Sequence, residues 1–107
     1  MRRYAKPVVI AASLPALRGP FGGIVVLPAH LDWSGSASYD LDDDARLIDY
    51  YRTVLIEATK PDDLHEYLDR GTLVRLWPML WLPADLRGTW ERRFPELRPT
   101  GTSSAAA

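Results

Sequence analysis

Cysteine is absent from the 107 residues. That excludes disulfides, thiolate metal sites and cysteine nucleophiles, and with them the small secreted scaffold stapled by disulfide bonds. The chain also lacks an excess of charge of either sign. Thirteen basic against fourteen acidic residues leave a formal net charge of −1, so the broad basic surplus that accompanies general nucleic-acid binding is missing. No apolar run approaches the roughly 20 residues that cross a bilayer, and no membrane partner is expected. Arg2, Arg3 and Lys6 ahead of a short apolar stretch imitate a secretory signal, but Pro7 and Pro15 interrupt it. The expectation is therefore a retained arm on a cytoplasmic protein. With 47% hydrophobic and 25% charged residues the composition is that of an ordinary globular protein, long enough for one domain with one modest core.

What the chain does have is tryptophan, and three of its four lie in residues 73–94, LVRLWPMLWLPADLRGTWERRF. Each such ring buries roughly 150–250 Å² when covered and so dominates the core or interface it enters. Leu73, Leu76, Trp77, Leu80 and Trp81 recur at helical spacing, yet Pro78 removes a backbone donor inside the run, so the helix is predicted to stop or kink at Trp77. Pro83 suits the start of a second helix, which carries Leu86, Trp90 and Phe94 at four-residue steps, with Arg87 and Glu91 as an ion pair and Pro95 as its end. Two tryptophan-bearing helices meeting at a break make a corner that must be covered, by the domain itself or by a partner.

Upstream, residues 1–20 mix basic, apolar and Pro/Gly character and read as a loosely held arm. Ile24, Val25, Val26 and Leu27 form a β-branched run stopped by Pro28, the clearest strand. Residues 30–34 and 38–41 alternate around Ser34, Gly35, Ser36 and Ala37, predicting a hairpin with Leu31, Trp33, Tyr39 and Leu41 on one face. From Asp42 the period becomes helical: Leu47, Ile48, Tyr51, Val54, Leu55 and Ala58 form one stripe, predicting a helix over 43–59 capped by Asp42. Pro61, Asp62 and Asp63 begin a further helix ended by Arg70 and Gly71, with Thr72 capping the next. Residues 98–107 have almost nothing to bury and are expected to be disordered. The fold predicted is α+β: one domain over 1–97, a small N-terminal antiparallel hairpin or meander packed on a C-terminal bundle of about four helices.

Reactive constellations are not apparent. Asp40, Asp42 and Asp44 match the first three ligands of an EF-hand loop, but its glycine and final glutamate positions hold Ala45 and Tyr51. His30 and Asp32 alternate as a pair, which is short of the three or four ligands a metal needs. Ser34, Ser36 and Ser38 belong to a turn with no histidine tied to them, and Gly19, Gly22 and Gly23 precede no helix that could cradle phosphate. No catalytic, cofactor-binding or metal-binding residue is assigned, and the chain is read as a non-enzyme. Residues 62–77 have the outline of a helix-turn-helix, whose second helix offers only Thr72 and Arg75 as polar readers behind an acidic first helix. Nucleic-acid contact, if made, would use Arg2, Arg3 and Lys6.

LPALRGP at 14–20, IVVLPAHLDWSG at 24–35 and the segment 47–97, with Trp33-Ser34-Gly35, Leu76-Trp77-Pro78 and Trp90-Glu91 as short signatures, resemble small actinobacterial proteins associated with AbiEii-type nucleotidyltransferase toxins. The likeness covers residues 14–97. It implies an antitoxin that binds and silences an enzyme transferring nucleotides to RNA, with no catalysis of its own. Many such antitoxins carry a winged-helix DNA-binding domain; this sequence shows none, so operon repression is not carried over. The expected function is thus a toxin-binding interaction module, with a small helix-turn-helix regulator as the alternative. Interfaces concentrate their energy in Trp, Tyr and Arg, which selects Tyr51, Arg75, Trp77, Trp81 and Trp90 as partner-binding candidates.

Overall fold

The computed structural model describes residues 8–33 and 38–98. The basic residues Arg2, Arg3 and Lys6, the turn Ser34 to Ala37 and the tail from residue 99 lie outside that range. Among the described residues the architecture is α+β, a two-stranded antiparallel sheet and four α-helices. Strand β1 (Ile24–Val26) pairs with β2 (Ser38–Asp40) in the register Ile24 to Asp40, Val25 to Tyr39 and Val26 to Ser38. Alternation then sends Val25 and Tyr39 towards the helices and leaves Ile24 and Val26 on the open face.

The predicted partner of β2 was residues 30–34, and here the structure differs. Pro28 ends β1 and its carbonyl accepts from the N–H groups of Leu31 and Asp32 at 2.9 and 3.1 Å, which folds that segment into a turn and uses the donors a ladder would need. The expected common face dissolves accordingly. Leu31, Tyr39 and Leu41 are buried, whereas Trp33 is 84% exposed.

Helix α1 (Asp44–Glu57) lies over the sheet. Its cap is Asp43, whose carboxylate accepts from Ala45 N at 3.0 Å, because the predicted cap Asp42 is engaged with the N–H of Gly23 at 3.2 Å. Leu47, Tyr51, Val54, Leu55 and Ala58 are buried as the stripe required, and Tyr50 joins them while Ile48 is only half-buried. The buried arc is wider than one stripe because α1 is covered from two sides. Tyr39 meets the edge of Tyr50 on the sheet side, with ring centroids 5.5 Å apart, and Tyr50 packs on Tyr51 at 5.6 Å.

Helix α2 (Pro61–Tyr67) and helix α3 (Arg70–Leu76) follow. Gly71 does not close α2 and Thr72 does not cap α3. Asp69 is the cap, accepting from the backbone N and the hydroxyl of Thr72 at 3.0 and 2.9 Å, so α3 starts earlier and Gly71 falls in its first turn. Residues 8–20 are not a loose arm either. Ala11, Leu14 and Leu17 are in the core, and Arg18 N and Gly19 N donate to the carbonyls of His65 and Leu68 at 2.9 and 2.7 Å. This strap demands Gly19, since a Cβ there would stand 2.3 Å from the backbone of Tyr67 and Leu68. The missing information was tertiary: an apolar segment without periodicity became ordered because α2 and the residue that follows it supplied its hydrogen-bond partners.

As Pro78 dictates, α3 gives way at Trp77 to a 3₁₀ turn (Trp77–Met79). Helix α4 (Ala84–Arg93) begins after Pro83 and stops before Pro95. Leu86, Trp90 and Phe94 are all buried. No helix among the described residues is long and apolar enough to cross a membrane.

Candidate protein-binding surface

The proline break turns the chain back on itself, and the corner closes from inside. Trp77 and Trp90 are fully buried, their ring centroids 6.1 Å apart, and Phe94 adds a third ring 5.5 Å from Trp90. Trp77 Nε1 donates to Glu91 at 2.8 Å, and the Arg87 guanidinium lies 5.0 Å from the centre of the Trp77 ring. The same guanidinium pairs with Glu91 at 3.5 Å and donates to the carbonyls of Trp77 and Leu80. Both carbonyls belong to the irregular stretch after α3, where Trp77 O also accepts from Leu80 N at 3.2 Å, so Arg87 ties the break to α4 through backbone groups that no regular helix satisfies.

Of the five residues selected from sequence, three therefore cannot touch a partner. Trp77 and Trp90 are core, and so is Tyr51, whose hydroxyl donates to Pro20 O at 3.0 Å and accepts from Asp69 N at 2.8 Å. Burial pushes the Tyr51 phenol up to about 12, so it remains a donor in this tie between α1, the N-terminal strap and the cap of α3. Spacing alone could not separate these rings from exposed ones, since helical periodicity marks a face without saying what lies against it.

Arg75 and Trp81 do face solvent. Trp81 is 83% exposed, and its carbonyl is fixed by Arg52 Nε from α1 at 2.5 Å. Trp33 is the residue that sequence reasoning missed. The alternation of residues 30–34 had placed it on a sheet face, and only the turn closed by the Pro28 carbonyl shows that no strand carries it. Both indoles border the solvent face of α1. At about 100° per residue, Asp49 and Ile56 fall between Arg52 on one flank and Thr53 and Glu57 on the other. Trp81 stands at the Arg52 margin, and Trp33 shares with Thr53 and Glu57 the lining of a cavity of about 310 Å³.

That cavity is also lined by Leu31, Asp32 and Tyr39. The Tyr39 hydroxyl donates to Asp32 at 2.6 Å, and burial followed by this bond raises the phenol's pKa. The two histidines are structural. His30 Nε2 donates to the buried carboxylate of Asp63 at 2.9 Å, whose other oxygen accepts from the N–H and hydroxyl of Thr59 at 3.0 and 3.2 Å. Burial opposes ionisation of Asp63, but these bonds outweigh it and lower its pKa. His65 Nε2 accepts from Ala12 N at 3.0 Å, holding the strap. Among the described residues no group of three or more His, Cys, Asp or Glu is placed to hold a metal ion.

The stretch with the outline of a helix-turn-helix places Thr72, Leu73 and Leu76 in the core, leaving Val74 and Arg75 as the exposed side chains at the centre of a seven-residue α3. Arg70 pairs with Glu96 at 3.7 Å, and α2 presents Asp62 and Glu66 to solvent. Compared with protein-family models, with curated proteins and with solved structures, the chain matches none.

Proposed function

We propose that this chain works by binding another protein through the solvent face of α1 and the two indoles beside it, and that its partner is a nucleotidyltransferase-type toxin which it neutralises in the cytoplasm of a bacterium. The observation that carries the binding reading is the pair Trp33 and Trp81, each more than four-fifths exposed on opposite margins of one helix. Each open ring leaves on the order of 1.5–3 kcal/mol of burial unused, and tryptophan is the side chain most enriched at the energetic centres of interfaces. The identity of the partner rests on the resemblance of residues 14–97 to antitoxin-like proteins. Inhibition in this reading needs no reactive group from this chain. It requires only a surface that occupies or distorts the toxin.

Co-expression with the product of the neighbouring gene is the test. Growth should be rescued and a stable complex should co-purify, while the double substitution Trp33→Ala, Trp81→Ala should fold normally and lose both. Failure of the unsubstituted pair to form a complex or to restore growth removes the toxin from the proposal.

A further inference from the structure

The two edges of the sheet are built differently. Leu41 N donates to Gly23 O at 2.7 Å inside the ladder, and with the register Ile24 to Asp40, Val25 to Tyr39 and Val26 to Ser38 this fixes the alternation. Val25 and Tyr39 bond to each other, so the N–H and C=O groups of Ile24 and Val26 point away from β2, and those of Ser38 and Asp40 point away from β1. The β2 edge is guarded. Arg46 donates to Ser38 O at 2.9 Å, and the Asp40 carboxylate accepts from Asp42 N at 3.0 Å, and charged groups on an edge keep other strands off it. Along β1 no further strand lies alongside, and among the described residues no hydrogen bond reaches the outward groups of Ile24 or Val26. Residues 24–26 carry neither charge nor proline. The open face of the sheet has the same asymmetry: its β1 half is Ile24 and Val26, 72% and 68% exposed, and its β2 half is Ser38 and Asp40.

We infer that β1 pairs edge to edge with β1 of a second copy of this chain, antiparallel about a two-fold axis at Val25, so that two sheets become one in the order β2-β1-β1-β2. The occupant is a second copy because the edge is self-complementary. Under that axis Ile24 of each copy stands opposite Val26 of the other, and the outward N–H and carbonyl groups of one edge meet those of the other. The β-branched side chains then form a single apolar strip on the open face, with Ser38 and Asp40 at its rims. The two Asp40 side chains do not oppose this, since three strand spacings, roughly 14 Å, exceed the Debye length of about 10 Å. Ile24, Val26 and the neighbouring Phe21, itself 64% exposed, offer with the strand backbone on the order of 800 Å² over both copies, below the roughly 1,200 Å² of stable interfaces, so the pairing is weak and reversible. It uses no residue of α1 and stands apart from the toxin reading.

The test is sedimentation equilibrium of the full chain from about 10 μM to about 1 mM, with nitrogen–proton NMR over the same range. The mass should climb from that of the 12.1 kDa monomer towards twice that value, with half the chains associated on the order of 0.1 mM. The Ile24 and Val26 amide protons should gain protection from solvent exchange with concentration, whereas that of Val25, already bonded within the ladder, should not change. Val26→Lys, at an exposed site where near-UV circular dichroism will show the fold intact, should weaken association about tenfold or more, and Trp81→Ala should leave it unaltered. A chain that stays monomeric to about 1 mM overturns the inference. So does association that survives Val26→Lys, that depends on Trp81, or that leaves the Ile24 and Val26 amides unprotected, the last being the mark of stacked faces rather than joined edges. If Val26→Lys does not fold, amide protection in the unsubstituted chain decides alone.

Discussion

Trp77 and Trp90 at the proline corner, and Trp33 and Trp81 beside α1, are chemically identical pairs with opposite fates. The first pair is sealed because α4 folds back onto the turn at Trp77, where Arg87 and Glu91 bind the Trp77 carbonyl and indole N–H. The second pair has backbone anchors but no covering element: Trp81 is held through its carbonyl, and Trp33 sits at the end of a turn. Only four residues separate Trp77 from Trp81, so local sequence environment does not decide burial. What decides it is whether another part of the chain crosses above the ring.

The comparison breaks first at the sealed pair. Trp90→Ala should cost about 3–5 kcal/mol, a large part of the roughly 5–15 kcal/mol available to a domain, and urea or thermal unfolding will show whether the midpoint collapses. A loss below about 1 kcal/mol would mean that the corner is not the core described here.

Asp63 comes next, because it ties the start of α2 to His30 and Thr59 without any aromatic surface. Its carboxyl lies below the ordinary 3.8 in the folded protein. Its contribution is therefore complete above the unfolded value and disappears as pH falls through the lower, folded one. Asp63→Asn should destabilise by about 1.5–3 kcal/mol at pH 7, and should flatten the decline of stability below about pH 4 measured by chemical unfolding. An unchanged acid limb would show that another carboxylate governs it.

The smallest effect on stability belongs to the open pair. Trp33→Ala and Trp81→Ala should each change stability by no more than about 0.5 kcal/mol. Either should nevertheless reduce affinity for the proposed toxin partner by about 2 kcal/mol or more in titration calorimetry. A large loss of stability instead would place these rings with Trp77 and Trp90, and the distinction between the two regions would vanish.

Much of the framework was legible beforehand. The strand at Ile24–Val26, the long amphipathic helix, the stop at Pro78 and the Arg87–Glu91 pair each follow from local rules about β-branching, periodicity and the missing proline donor. Most of the errors have a different cause. The pairing of β2, the ordering of residues 8–20 and the closeness of Gly19 to Leu68 all depend on groups distant in sequence, whereas the cap at Asp69 is local, three residues from the Thr72 it holds. For the binding candidates the division falls within a single residue type. Arg75 and Trp81 lie at the surface, Tyr51, Trp77 and Trp90 are buried, and Trp33 was assigned to a sheet face it does not occupy.

Residue order alone settled the strand at Ile24–Val26, the apolar stripe of α1 and the break at Pro78, because those come from β-branching, periodicity and hydrogen-bond capacity within a few residues. It also settled that the chain carries four indoles and no thiol. Packing settled which indoles meet water and which carboxylates stand beside them, because burial is a property of what crosses over a side chain, and that is determined by contacts tens of residues away.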